Sequence, residues 1–185
     1  MTTSIPPFDQ PLIHAYYAAN QLKRLYRQGW LQHGVPPERC ESVAAHTFGV
    51  ALLALWLIPE HYPHLDLLKA VQMALIHDLG EAFVGDLTPR DGVSSAEKHR
   101  REAEAIARLL EGLPNAAPLF ALWQEYEASE TPEAQLIHQL DRLEMGLQAS
   151  VYAREGALQT PDTFYTSAAD ALHDSPLQTL LDSAT

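Results

Sequence analysis

Residues 74–89 read ALIHDLGEAFVGDLTP, and this stretch decides how the rest of the chain is interpreted. It places two ligand-type side chains next to each other, His77 and Asp78, and follows them with an acid at Glu81. Apolar residues upstream recur at helical spacing and predict a helix over residues 67–82. Because residues three and four apart share a helix face, we expect all three polar side chains on one face.

Glycine and proline place this polar group at a helix end beside a loop. Gly80 and Gly85 loosen the end of the predicted helix, and Pro89 stops any continuation. A His-Asp pair at a helix end is, by itself, more often a surface or capping pair than a metal site. The metal interpretation therefore depends on further ligands elsewhere in the chain.

Two such ligands lie on other predicted helices. A buried helix is predicted over residues 43–57, with Ser42 as its N-cap and His46 in its first turns. By itself, a histidine on an apolar face is more often a hydrogen-bonded core residue than a ligand. Asp141 lies beside the apolar stripe of a helix predicted over residues 131–155, where an unpaired carboxylate is costly. It is either partly exposed or paired with a positive group.

Together these residues form a candidate donor set for a metal. Two imidazoles and two carboxylates suit a divalent cation such as Co, Mn, Mg, Fe, Ni or Zn. Helical bundles build metal sites from inward-facing ligands on several helices, and few protein ligands leave positions open for water and substrate. The predicted metal ligands are His46, His77, Asp78 and Asp141.

The whole chain is predicted to be one all-α domain, because no segment alternates with the period of a strand. It has 185 residues, of which 46% are hydrophobic, enough for a sizeable core. We expect a bundle of about six or seven helices, with a core over about residues 10–156 and a peripheral C-terminal helix within 157–185. The predicted helices span residues 8–28, 43–57, 67–82, 95–111, 115–128, 131–155 and 167–181.

Composition limits the partners and the compartment. A formal net charge of -12 argues against broad nucleic-acid binding and against docking on anionic membranes. The longest apolar run, residues 50–58, is far short of the roughly 20 residues of a membrane span. The first ten residues, MTTSIPPFDQ, show no signal-peptide pattern, and the single cysteine, Cys40, forbids an intramolecular disulfide. These features predict a cytoplasmic protein.

Four segments carry a resemblance to a known family: ESVAAH (41–46), HDLGEAFVGDLTP (77–89), EKHRREAEA (97–105) and QLDRLEMGLQA (139–149). The order H…HD…D resembles the HD-domain superfamily of metal-dependent phosphohydrolases. The longer segments resemble its 5'-deoxynucleotidase / HD-domain-containing protein 2 family, over about residues 15–155. The short signature is weak alone, whereas HDxxExxxGD together with EKHRRE is fairly specific. One departure is Ala45, where relatives carry an acid before the histidine.

The resemblance implies a function and roles for single residues. Relatives are metal-dependent, cleave the 5'-phosphate from deoxyribonucleoside monophosphates, and many are homodimers. Glu81 matches the catalytic acid, and Asp86 matches a second essential carboxylate near the sugar or a second divalent ion. Arg27 matches an arginine that contacts the nucleotide. Glu81 is expected to handle the proton of the attacking water or of the leaving 5'-oxygen.

Four residues are expected to contact the substrate, although each has a plainer interpretation. Arg27 suits the C-terminal dipole of the first predicted helix. Trp30 can serve as a core anchor. The densest cation cluster, residues 98–101, can form a solvated helix face. The expected substrate contacts are Arg27, Trp30, Lys98 and Arg101.

Two other classes of function stay open from the sequence. The ligands alone also suit a cyclic-nucleotide phosphodiesterase, a nucleoside triphosphatase or an iron-dependent oxygenase. A non-enzymatic helical module with a structural metal is the other alternative. It is disfavoured because a structural site is usually saturated by protein ligands.

Overall fold

A computed structural model of the chain describes residues 9–185. Residues 1–8, which include the predicted start of the first helix and most of the N-terminal segment, lie outside the described part. Within residues 9–185 the secondary structure is helical, and the only β-type pairing is an isolated bridge between Tyr26 and Ser42. The predicted all-α class is confirmed.

The helices follow each other along the chain with short connections. They are α1 (Pro11–Ala19), a 3₁₀ turn (Asn20–Lys23), α2 (Gln28–Gln32), α3 (Val43–His61), α4 (Leu67–Ile76), α5 (Glu81–Val84), a second 3₁₀ turn (Pro89–Asp91), α6 (Ser95–Leu110), α7 (Ala116–Ala128), α8 (Pro132–Arg154), α9 (Asp162–Ala171) and α10 (Ser175–Ala184). Each of the predicted helices is therefore present, but three of them are divided.

Side-chain N-caps begin several helices, and the predicted cap at Ser42 is among them. The side chains of Ser42, Ser94 and Thr131 each accept a hydrogen bond from the backbone amide three residues later. Such a cap stabilises a helix by about 1 kcal/mol. Asn115 precedes α7 as predicted, but its side chain makes no capping hydrogen bond in the described structure.

The first predicted helix does not run to residue 28. The chain leaves the helical conformation after the 3₁₀ turn and reaches an extended conformation at Arg27, with ψ of 110°. The cause is tertiary, because residues 25–27 pair through backbone hydrogen bonds with residues 41–43. Gly29 and Trp30, which follow the end of the predicted helix, both lie inside the short helix α2.

The predicted helix over residues 67–82 is also interrupted. Helix α4 ends at Ile76, a turn covers residues 77–80, and α5 begins at Glu81. His77, Asp78 and Glu81 therefore do not share one continuous helix face. Gly80 lies against α6, where a Cβ atom would be 3.2 Å from the Glu102 backbone. This close approach brings the end of the turn onto α6.

The C-terminal helices belong to the main core. The prediction of one peripheral helix after residue 156 is wrong in two respects, since α9 and α10 are separate and both pack on α8. Leu172 and Leu177 are 2% and 0% exposed, in the same apolar cluster as α3, α4 and α8. Gly146 on α8 permits this contact, because a Cβ there would lie 2.7 Å from Leu181 Cδ1.

Helix α3 is the most apolar element of the described chain. This 19-residue helix contains an 18-residue window with a mean hydropathy of 1.5, and by length and composition alone it is long enough to cross a membrane. One side of α3 is buried against α4 and α8, with Val50, Ala54 and Ile58 at most 1% exposed. The predicted burial all round is not observed, because Phe48 and Trp56 on its other side are 62% and 61% exposed.

Candidate metal centre and catalytic cleft

A cavity of about 920 Å³ lies where the HDLGE turn meets α2, α6, α7 and α8. Its volume is that of a small-molecule site. Most of the residues predicted from sequence to act on a substrate line it. They are Arg27, Trp30, His77, Asp78, Glu81, Asp86, Lys98 and Asp141.

The four predicted metal ligands converge at the base of this cavity. The ligand atoms of His46, His77 and Asp78 lie within 4.8 Å of one another. His46 Nε2 is 2.9 Å from Asp141 Oδ1, and His77 Nε2 is 3.1 Å from Asp78 Oδ2. Three separate elements, α3, the turn after α4, and α8, therefore bring their donors to one point.

Both imidazoles present a nitrogen that the described protein does not satisfy. Nε2 of His46 and Nε2 of His77 are buried and make no hydrogen bond within residues 9–185. The opposite nitrogens are held, since His46 Nδ1 donates to Glu144 Oε2 at 2.6 Å and His77 Nδ1 donates to the Ala74 carbonyl at 2.7 Å. This arrangement leaves each Nε2 lone pair free for a metal. The residues present therefore fit a divalent cation.

The charges around the four ligands agree with this fit. Burial opposes ionisation of Asp78 and Asp141, but His77 holds the pKa of Asp78, and His46 that of Asp141, well below its ordinary value. Both carboxylates are therefore available as anionic ligands. Burial and the charge of Arg27 lower the pKa of His46, yet the neighbouring Asp141 and Glu144 raise it to about 10, so a metal that binds Nε2 takes the place of a proton. A cation at this point would relieve the same excess of negative charge.

Glu81 lies in the cavity wall, and it favours the protonated form, unlike the candidate ligands Asp78 and Asp141. It is 3% exposed, and its Oε2 has no hydrogen-bond partner in the described structure. Burial, reinforced by the carboxylates of Asp78 and Asp86, raises the pKa of Glu81 well above its ordinary value. A buried carboxyl that favours its protonated form beside ionised carboxylates has the character of a general acid or base.

Arg27 links the metal ligands to Asp86. Its guanidinium Nη1 is 3.5 Å from Asp78 Oδ2 and 3.4 Å from Asp86 Oδ1. Asp86 also accepts a hydrogen bond from the backbone amide of Gln28. Because of these contacts Asp86 is fixed by α2, and the Arg27 guanidinium is held at the cavity rather than at a helix end.

The remaining three predicted contacts have different positions. Lys98 lines the cavity, and the carboxylates of Glu102 and Glu81, against the effect of burial, raise its pKa. Trp30 also lines the cavity, but it is 2% exposed and donates from Nε1 to Glu41 Oε1 at 2.7 Å. Arg101 does not line it, because its Nε binds Glu97 Oε1 at 2.7 Å on the outer face of α6.

Several residues in or beside the site were not predicted from sequence. Glu144, one turn after Asp141 on α8, binds His46, and the three-residue spacing was a signal that could have found it. Tyr126 of α7 packs edge-on against His77 at a centroid distance of 5.5 Å and stacks on His138 at 4.0 Å. No local pattern singled out Tyr126, because its role depends on how α7 packs.

With this geometry described, the chain can be compared with known proteins. Residues 19–178 match the family described as HD domain. The chain belongs to the HD-domain family. Its match extends beyond residue 155, where the resemblance read from the sequence ended, and it includes α9.

Similar proteins include an enzyme and two solved structures. The 5'-deoxynucleotidase HDDC2 of Bos taurus is 43% identical over 155 residues, which cover 80% of this chain and 72% of the relative. The PH0347 protein of Pyrococcus horikoshii OT3 has a TM-score of 0.77 at 33% identity, covering 93% of this chain and 97% of that one. A predicted metal-dependent phosphohydrolase from Magnetospirillum magnetotacticum MS-1 has a TM-score of 0.68 at 30% identity, covering 94% and 93%.

Proposed function

We propose that this protein is a metal-dependent 5'-deoxynucleotidase, which hydrolyses 2'-deoxyribonucleoside 5'-monophosphates to a deoxynucleoside and phosphate. The observation that carries the proposal is that a candidate metal site and a buried acid–base group lie in the same cavity. Two buried imidazole nitrogens that have no hydrogen-bond partner among residues 9–185 face Asp78 and Asp141, and the buried carboxyl of Glu81 lies in the same wall. The HDDC2 relatives, named as 5'-deoxynucleotidases, support the choice of substrate.

The cofactor is a divalent cation held by His46, His77, Asp78 and Asp141. When bound, such a cation lowers the pKa of a coordinated water and stabilises charge on a phosphoryl group. Four protein donors leave two positions open on an octahedral ion, whereas a structural site is usually saturated by protein ligands. We propose Co, Mn, Mg, Fe, Ni or Zn as the candidates.

The chain's own residues supply positioning and proton transfer. Arg27 directs positive charge at the cavity and can bind phosphate oxygens in a two-point contact. Lys98 adds a second cation from α6. Glu81 exchanges the proton of the reaction, either accepting it from the attacking water or donating it to the leaving 5'-oxygen. Asp86 holds Arg27 in place and faces the cavity as a candidate sugar contact.

The decisive experiment is phosphate release from dAMP and from AMP. Metal-free protein would be assayed before and after addition of Co, Mn, Mg or Zn. Metal-dependent release that favours dAMP supports the proposal and identifies a usable ion. Release from neither nucleotide, with bound metal shown directly, would contradict it. Cyclic nucleotides and nucleoside triphosphates in the same panel, with oxygen-free controls, test the other HD-domain chemistries.

We also propose that the protein is a homodimer formed through α3 and α4. These helices pack on each other, yet their outer faces carry large apolar side chains that are 47% to 68% exposed. A face of this kind is typical of an interaction surface. The residues are Phe48, Leu55, Trp56, Leu68 and Leu75. Light scattering should give a dimer for the wild type and a monomer for Trp56→Glu, and a wild-type monomer would contradict this.

Finally, we propose that the enzyme acts in the cytoplasm on a free nucleotide, without binding nucleic acid or a membrane. The net charge of -12 supports this, because phosphate polymers and anionic lipids would be repelled. The single, buried Cys40 thiol is consistent with a reducing compartment. Cell fractionation, with flotation on anionic vesicles, tests both statements.

A further inference from the structure

Glu144 is the protein partner of the metal ligand His46. Its Oε2 accepts the hydrogen bond of 2.6 Å from His46 Nδ1, and the two side chains are 8% and 0% exposed. An ionised carboxylate can only accept, so the proton of the imidazole lies on Nδ1. That leaves the Nε2 lone pair pointing toward Asp141 at 2.9 Å, which is where a cation would bind.

A second carboxylate lies close to this pair but is already engaged. Glu41 has a ligand atom within 4.8 Å of those of His46 and Glu144. Its Oε1 accepts the indole hydrogen bond from Trp30 Nε1 at 2.7 Å. Glu144 is therefore the residue that sets the orientation of the His46 ring.

Gly49 creates the space that Glu144 occupies. It lies one turn after His46 on α3, as Glu144 lies one turn after Asp141 on α8. A Cβ atom at residue 49 would lie 2.7 Å from Glu144 Oε1, 2.9 Å from its Cγ and 3.1 Å from its Cδ. The close atoms all belong to one side chain, so any residue larger than glycine would displace Glu144 from His46.

We propose that Gly49 and Glu144 form a positioning pair for the metal centre. Gly49 admits the carboxylate against the α3 backbone, and Glu144 fixes the tautomer and the orientation of His46. Neither residue contacts the substrate or the metal, since both act through His46. The inference rests on the proposed function for the identity of the site, but it concerns metal affinity and is tested without any substrate.

Gly146 provides a matched control for the effect of crowding. It also lies in a long helix, and a Cβ there would be 2.7 Å from Leu181 Cδ1 and 3.0 Å from Ala168 Cβ. These neighbours are apolar residues of α9 and α10, and neither His46 nor Glu144 is among the nearest atoms to that Cβ. Gly146→Ala therefore produces the same kind of steric clash without displacing Glu144.

The experiment measures binding of Co²⁺ to metal-free protein, followed by the visible absorption of the ion, together with the melting temperature of the metal-free form. We expect Gly49→Ala and Glu144→Ala each to weaken Co²⁺ binding by about 10- to 100-fold and to alter the absorption spectrum. Gly146→Ala should lower the melting temperature while leaving Co²⁺ affinity and spectrum unchanged. The double variant Gly49→Ala/Glu144→Ala should bind Co²⁺ no more weakly than Glu144→Ala alone, because the clash needs the Glu144 side chain.

Several outcomes would overturn the proposal. One is Gly49→Ala or Glu144→Ala protein that melts lower but binds Co²⁺ with wild-type affinity and spectrum. Another is a double variant in which the two losses of affinity add fully. Should Gly49→Ala fail to fold, Glu144→Gln, which keeps the side-chain shape, decides the matter. Its amide oxygen can still accept from Nδ1, so Glu144→Gln should bind Co²⁺ more tightly than Glu144→Ala, and an equal loss of affinity in the two variants overturns the proposal.

Discussion

His46 Nε2 lies 2.9 Å from Asp141 Oδ1, yet the nitrogen forms no hydrogen bond of acceptable geometry with any described residue. Two ligands that share a cation at 2.0–2.2 Å are separated by about 3 Å or slightly more. The distance of 2.9 Å would also suit a hydrogen bond, but the nitrogen lacks the geometry of a donor, so the pair is arranged as co-ligands. With Asp78 and Glu144 also close to His46, the metal-free site concentrates negative charge that a cation would offset.

Metal removal is accordingly expected to destabilise the folded protein. A ligand present at 100 times its dissociation constant stabilises a protein by about 2.7 kcal/mol. For a chain of this length that corresponds to a change of roughly 5–10 °C in melting temperature. Scanning fluorimetry with EDTA, and then with excess Co²⁺, checks this value. Asp141→Asn should lose the Co²⁺-dependent increase, and an equal increase in that variant would show that the ion binds elsewhere.

Glu81 is expected to be needed for the reaction but not for metal binding. Glu81→Gln keeps the shape of the side chain but cannot exchange a proton, so turnover of dAMP should fall by about 10²- to 10⁴-fold. Co²⁺ affinity should stay within a few-fold of wild type, because Glu81 is not among the four ligands. Both quantities would be measured on the same preparation. Undiminished turnover would remove Glu81 from the mechanism.

Substitutions of Lys98 and Arg101 are expected to affect activity differently, although both residues lie on the same helix. Lys98 lines the cavity, whereas Arg101 is 45% exposed and paired with Glu97. A hydrogen bond to a charged group contributes about 1.5–3 kcal/mol, so Lys98→Ala should lower kcat/KM for dAMP by about tenfold or more. Arg101→Ala serves as the control and should stay within about twofold of wild type. Equal losses would mean that α6 contributes only long-range charge.

Glu102 is expected to make the stability of the metal-free protein depend on pH. Burial, despite the opposing charge of Lys98, raises the pKa of Glu102 from its ordinary 4.5 to about 7. The folded state therefore binds the proton more tightly than the unfolded state, and this contribution to stability is lost as pH rises from 4.5 through 7. The urea midpoint of metal-free protein should fall between pH 5 and pH 8. The fall should be smaller in Glu102→Gln, and an unchanged slope would contradict this role.

The grouping of His46, His77, Asp78 and Asp141 could be predicted from sequence because part of their pattern is local. His77 and Asp78 are adjacent, and His46 and Asp141 each lie on a long apolar helix whose inward face the periodicity identifies. The break after Ile76 could not be predicted in the same way. Gly80 in that turn packs against the Glu102 backbone of α6, and no local pattern encodes this tertiary contact.

Tertiary contacts also explain the other differences. The first predicted helix ends early because residues 25–27 pair with residues 41–43, which follow them only after a loop. The same pairing brings Arg27 to the cavity, a position that the helix-dipole interpretation did not provide. The C-terminal helices looked peripheral because Pro176 interrupts their pattern. In the fold, that proline lies in the first turn of α10 and does not break a helix.

The C-terminal helix α10 is expected to contribute to global stability through one side only. Leu177 is 0% exposed in the main core, whereas Leu180 on the same helix is 38% exposed. Leu177→Ala should lower the free energy of unfolding by about 2–5 kcal/mol, because it removes a buried side chain and leaves a cavity. Leu180→Ala, the matched control, should change it by no more than about 0.5 kcal/mol. Urea unfolding of both variants with metal bound measures the difference. Similar, small effects would mean that α10 packs only loosely, as the sequence pattern had indicated.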